Sequence, residues 1–160
     1  MEINFLALLA AAASALVVGF VWYNPKVFGD AWMRAADMTE EKIRGGNMAK
    51  IFILAFIFAF LLAMVMQMLT IHQFGALGMI GGDEAAALPS YAAFMADYGT
   101  AHRTFGHGAL HGVMSGIFVA LPIIGINALF ERKGAKYIFI NSGYWIVVMG
   151  IMGAIVCGWV

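Results

Sequence analysis

The side chains of this 160-residue chain best equipped for chemistry are its four imidazoles, His72, His102, His107 and His111. A neutral imidazole offers a lone pair to zinc or another borderline metal, and the carboxylates of Asp83, Glu84 and Asp97 are available as further ligands. His107 and His111 stand four apart, hence on one face of a helix. If that helix runs unbroken from Asp97, then Asp97, Thr100, Thr104, His107, His111 and Ser115 form one polar stripe. A metal would bind at its centre, with His72 supplied by a neighbouring helix. A second chemistry uses His72 with His107 or His111 as axial ligands to a haem between helices. Against both stands a structural use: histidines at a helix end hydrogen-bond backbone carbonyls or lipid headgroups. No cysteine cluster or His-Glu-x-x-His pattern accompanies these four.

A second polar group combines Asn127 and Glu131 with Asn141, Ser142, Tyr144 and Trp145, just across a short basic turn. Trp22, Tyr23 and Asn24 reach the same depth. Buried amides and a carboxylate need partners, so this group either holds helices in register, the expected role, or coordinates a polar ligand. A single carboxylate does not support paired acid-base catalysis. Cys157 has no second cysteine to pair with and reads as a small apolar filler. Gln67 and Ser14 are isolated within apolar sequence, and no charged residue there marks an ion or proton pathway.

Positioning these groups falls to four apolar stretches, 3–22, 51–71, 108–130 and 137–160. Each lacks charged side chains and has about the ~20 residues a helix needs to cross ~30 Å of hydrocarbon. With 63% hydrophobic and 11% charged residues, the chain is predicted to be one all-α membrane domain, residues 1–160, with four transmembrane helices. The N-terminal stretch lacks the basic region of a secretory signal and is expected to remain attached. Lys26, Arg34, Lys42, Arg44 and Lys50 fall in the first connector and Arg132, Lys133 and Lys136 in the third, whereas the second holds only Arg103. By the positive-inside rule the first and third connectors are cytoplasmic, and both termini face outward with the 72–107 connector and all four histidines. Insertion topology explains the basic face, so nucleic acid is not implied as a partner.

The outer connector has helix-start chemistry at Asp83 and again at Pro89-Ser90, and Tyr91, Phe94, Met95, Tyr98 and Phe105 follow nearly helical spacing. An additional interfacial helix is predicted over about 90–105, running on toward the third span. Gly108, Gly112, Gly116 and Ala120 recur every four residues in the third span, as do Gly150, Ala154 and Gly158 in the fourth. Such stripes let backbones approach in lipid, chiefly within the chain. Pro122 predicts a kink in the third span.

Trp22-Tyr23-Asn24-Pro25, Phe28-Gly29 with Trp32, Asn47-Met48, His107-Gly108, Gly125-Ile126-Asn127, Leu129-Phe130-Glu131, Ile140-Asn141 and Gly143-Tyr144-Trp145 occur here in order. Outside 72–103 the chain resembles the small membrane proteins grouped as domain of unknown function 1761. The resemblance implies a four-helix protein of the bacterial inner membrane and carries no activity, substrate or cofactor.

Three functional classes follow. The first, favoured by the small-residue stripes and the lack of a catalytic motif, is a noncatalytic membrane protein that self-associates or serves as an accessory subunit of a larger complex. The second binds zinc, another metal or haem through the outer histidines. The third carries or conducts a small, largely uncharged compound past the kinked third span.

Overall fold

Asn4, Asn47 and Thr104 each turn a side-chain oxygen onto the backbone N–H three residues ahead, at 3.0, 3.0 and 3.2 Å. Each satisfies a donor that a helix start leaves without a partner, and each opens a long apolar run. The structure, a computed structural model, describes residues 3–160. Its elements are α1 (Phe5–Trp22), a π-helical turn (Pro25–Gly29), α2 (Asp30–Ala36), α3 (Glu40–Arg44), α4 (Met48–Thr70) and α5 (Gln73–Met79). Then follow α6 (Pro89–Tyr98), α7 (Phe105–Ser115), a second π-helical turn (Gly116–Ala120), α8 (Leu121–Phe130) and α9 (Ala135–Gly158). Four helical segments are long and apolar enough to cross a membrane: α1, α4, the continuous run Phe105–Phe130, and α9. Among the described residues there is no strand, and the protein is an all-α, four-span membrane protein.

The core joins Leu8, Ala11, Ala12 and Ala15 of α1, Ala59, Ala63 and Met66 of α4, and Val148, Met149, Met152 and Val156 of α9. Alanine on the α1 and α4 faces brings backbones close, which matters because lipid gives helices no hydrophobic drive to associate and contact must replace it. The large apolar side chains outside this seam, such as Phe20, Phe58, Phe118 and Phe139, are exposed and face the hydrocarbon.

Between α7 and α9 the approach is closer still. A Cβ at Gly112 would collide with the Met149 carbonyl, one at Gly108 with the Gly153 carbonyl, and one at Gly116 would lie 2.6 Å from Ile146 Cα. Partners descend along α9 as residues rise along α7, so the helices are antiparallel. Gly150 lies against Val113 and Gly158 against Phe105. The residue facing Gly108 is Gly153, outside the every-fourth-residue pattern. Just before Pro122, where a kink is expected, the helix makes a π-helical turn. There the Leu121 N–H bonds Gly116 O, five residues back.

The connectors pin the two ends of the bundle. At the basic end, where all lysines and arginines but Arg103 reside, Lys133 Nζ pairs with the Asp37 carboxylate and donates to Ala36 O at 3.3 Å. Hydrogen bonding from Lys133 holds the Asp37 carboxyl below its ordinary pKa, and the same bond raises that of Lys133. Both residues follow helices that end on a left-handed residue, Asp37 itself at φ 56° and Arg132 at φ 56°. At the opposite, histidine end, Asn4 Nδ2 donates to Trp159 O at 3.3 Å and Arg103 Nε to Cys157 O at 2.9 Å. Arg103 thereby satisfies one of the last carbonyls of α9 with a cation placed favourably for the helix dipole.

The 72–107 connector departs from the pattern expected of it. A short helix, α5, follows His72 directly. At Asp83 only a turn forms, its Oδ1 accepting the N–H groups of Ala85 and Ala86 at 3.0 and 3.2 Å. The interfacial helix starts at Pro89 as expected but stops at Tyr98, and the third span begins at Phe105. Two features break the helix: His102 adopts φ 62°, and Thr104 caps a fresh start.

Candidate metal centre at the histidine end

His72 closes the turn after α4, and His107 and His111 lie one turn apart on α7. The antiparallel glycine contact with α9 holds α7 in place, and the Thr104 cap fixes where it begins. The result is convergence: ligand nitrogens of His72, His107 and His111 all lie within 4.8 Å of one another. His107 Nε2 and His72 Nε2 are 2.9 Å apart. Ring centroids lie 4.9 Å apart for His72–His107, 4.9 Å for His72–His111 and 4.4 Å for His107–His111. His72 is exposed and the other two are half-buried, so the group opens toward solvent.

Zinc–imidazole bonds of about 2.0–2.1 Å set the nitrogens of a tetrahedral ion roughly 3.3 Å apart. The observed nitrogens, within 4.8 Å of one another and with one pair at 2.9 Å, bracket that spacing. Three imidazoles leave a fourth position for water or a ligand, the arrangement catalytic zinc sites keep and structural ones close.

His102 reaches the group by the turn that ends α6. Its ring stacks on His107 with centroids 5.0 Å apart and lies 5.9 Å from that of His72. Its left-handed backbone costs about 1–2 kcal/mol for a non-glycine residue. Contacts from α9 hold it, with the Cys157 sulfur 3.4 Å from Thr70 O and 3.5 Å from His102 O beside the Arg103–Cys157 bond. Cys157 is thus a buried packing residue with a tethering contact. Asp97 is not in the trio: it lies exposed on α6, and the helix break at 99–104 removes the stripe that would have aligned it with His107. From that stripe Thr104 serves as a cap, and Ser115 Oγ donates to His111 O at 2.8 Å.

The polar group at the basic end divides between two faces of α9. Asn127, Glu131, Asn141 and Trp145 line one cavity of about 200 Å³ with Ile124, Ala128 and Tyr137. Tyr144 turns toward α1, where its hydroxyl donates to Ala15 O at 3.0 Å. Asn141 Oδ1 accepts from Tyr23 OH at 3.1 Å, and its Nδ2 donates to Tyr137 O at 2.8 Å. Trp22 Nε1 donates to Ile140 O at 3.1 Å. These bonds fix the register of α1 against α9. Burial raises the pKa of the Tyr23 hydroxyl, keeping it a neutral donor.

Two residues that sequence reasoning assigned to no site organise the histidine end, Gln73 and Arg103. Gln73 Nε2 donates to the carbonyls of Tyr98 and Ala101 at 2.8 and 2.9 Å, fastening α6 and its following turn to the start of α5. Arg103 carried a signal, being the one basic residue in a connector otherwise without any; Gln73 carried none.

A family model described as a protein of unknown function, DUF1761, matches residues 6–157. No curated protein and no solved structure matches the chain.

Proposed function

The chain belongs to the DUF1761 family, and from that premise we propose that it is a membrane protein that binds a borderline transition-metal ion, zinc foremost, through His72, His107 and His111. One observation carries this reading: ligand nitrogens of three imidazoles, two on α7 and one from the turn between α4 and α5, converge within 4.8 Å. Histidines with merely local roles at helix ends would each hydrogen-bond to the nearest carbonyl or headgroup rather than turn their nitrogens on one another. Ring centroids only 4.4–4.9 Å apart leave no room for a macrocycle between these imidazoles, which favours a bare ion over haem. The reading as a self-associating or accessory subunit loses its main motive, since the glycines of α7 and α9 are occupied by each other within the chain. Charge asymmetry supports an orientation with the basic end in the cytoplasm and the metal centre on the outer side of a bacterial inner membrane.

Elemental analysis and zinc titration of protein purified without a histidine tag test the proposal, with the His107→Ala/His111→Ala double variant in parallel. Stoichiometric zinc is expected in the native protein, with affinity at least tenfold weaker, about 1.4 kcal/mol, in a variant of unchanged helicity. Native protein that neither retains zinc nor binds it in titration contradicts the proposal.

A further inference from the structure

Three neutral imidazoles leave the charge of a divalent ion uncompensated, and among the described residues no carboxylate joins His72, His107 and His111 in the ligand group. The surroundings add positive potential. His107 lies in the first turn of α7, at the positive end of that helix's dipole, and Arg103 directly precedes the Thr104 cap. A fourth ligand at this centre is therefore favoured as an anion over a neutral molecule.

His102 is the remaining imidazole at this end, and it is not one of the trio. Its ring stacks on that of His107 at 28° with centroids 5.0 Å apart, and meets that of His72 edge-on at 85° and 5.9 Å. Its side chain is exposed, as is that of His72, so both are open to a molecule arriving from solvent. The backbone that places it there has φ 62°, a conformation glycine adopts without strain. An imidazole thus occupies a position where the backbone alone would prefer glycine, and strain of this kind gathers at ligand sites. Even neutral, the ring has one N–H to donate.

We propose, resting on the metal reading above, that the centre binds a small oxyanion, with one oxygen on the ion's fourth position and a second accepting a hydrogen bond from the His102 ring. The ligand class is a group that carries at least two oxygens on one central atom, namely a carboxylate, carbonate or phosphate. His102 is then the residue that separates oxyanions from anions that offer a single donor atom, and it does so without ligating the ion. Phosphate in solution and the phosphate of a lipid headgroup share this chemistry, because the trio stands where α7 enters the membrane span.

The test loads the full chain with cobalt(II) in place of zinc, because cobalt's visible spectrum reports each change of ligand, in dodecyl maltoside, a detergent without phosphate. Acetate and inorganic phosphate are titrated beside thiocyanate, which binds through one end and presents no second oxygen. Saturable spectral shifts are expected with all three. His102→Gly, which suits the backbone of the turn, should weaken acetate and phosphate by about tenfold or more, the loss of one charge-assisted hydrogen bond. Cobalt and thiocyanate affinities should stay within roughly threefold of native, which also shows that the variant is folded. Phosphatidylglycerol nanodiscs separate the two sources. A spectrum already shifted to that of the phosphate complex, and reverting in His102→Gly, assigns the oxyanion to the lipid headgroup; an unshifted spectrum that still responds to acetate or phosphate assigns it to solution. Cobalt-loaded protein in maltoside that shows no shift with acetate or phosphate overturns the proposal and leaves the metal reading standing. Equal acetate affinity in native protein and His102→Gly does the same. Protein that binds no cobalt at all overturns the metal reading, and this proposal with it.

Discussion

His72 Nε2 and His107 Nε2 stand 2.9 Å apart across 35 residues of sequence, a hydrogen bond between two imidazoles. In such a bond one ring donates and the other accepts, so without metal the two carry opposite tautomers at Nε2. An ion bound by both takes a lone pair from each, and the donor's proton must move to Nδ1. ¹⁵N spectra of histidine-labelled protein should therefore show one Nε2–H ring of this pair in chelator and none with zinc. Unchanged tautomers on zinc addition would place any bound ion elsewhere.

The contact between α7 and α9 sets how α7 presents His107 and His111, and it tolerates no Cβ at Gly112. Gly112→Ala should cost about 1–3 kcal/mol or more through overpacking. Gly125→Ala, in the same span, has Ile138 Cγ2 at 4.0 Å as its nearest neighbour and should be neutral, or stabilising by about 0.5–1 kcal/mol through helix propensity. Thermal unfolding in detergent separates the two. A Gly112→Ala protein as stable as the native one would mean that the helices do not pack as described.

Asp37 and Lys133 tie the first and third connectors together, and both shifts have a definite pH consequence. The Asp37 carboxyl is held below its ordinary 3.8, so its contribution is complete above that value and lost as pH falls through the folded-state pKa. Lys133 is raised above its ordinary 10.5, so its contribution is complete below that value and lost as pH rises through the folded-state pKa. The gap in melting temperature between native protein and Lys133→Met should be small, because the Asp37 carboxylate is exposed and Lys133 only half-buried, and constant through neutrality. It should narrow below pH 3.8. A gap that instead changes between pH 6 and 8 would point to a different titrating group.

Orientation is open to direct labelling because the native cysteine is buried. Gly82→Cys at the histidine end should react with an impermeant maleimide added to intact spheroplasts, and Arg132→Cys only after lysis. The reverse pattern would put the histidines in the cytoplasm and change which metal pool they meet.

The four spans and their charge asymmetry were legible because lipid imposes long apolar runs and insertion sorts basic residues. The glycine contact was half legible. Gly108, Gly112 and Gly116 follow a plain four-residue period, but Gly153 lies off the corresponding period on α9 and meets Gly108 through the crossing of the two helices. The histidine end was hidden by its connector, where spacing alone favoured a continuous helix through Thr104. Side-chain bonds from Gln73 to Tyr98 O and Ala101 O, and from Arg103 to Cys157 O, join elements distant in sequence and hold the turn that carries His102 beside His107. No local pattern encodes such contacts.

The most direct measurement is zinc-edge X-ray absorption on the purified protein. The account predicts three imidazole nitrogens at about 2.0–2.1 Å and one further light-atom ligand in the fourth position, with imidazole scattering reduced in His72→Ala. A spectrum of six oxygen neighbours with no imidazole scattering, or one unaltered by His72→Ala, would contradict a metal centre built from His72, His107 and His111.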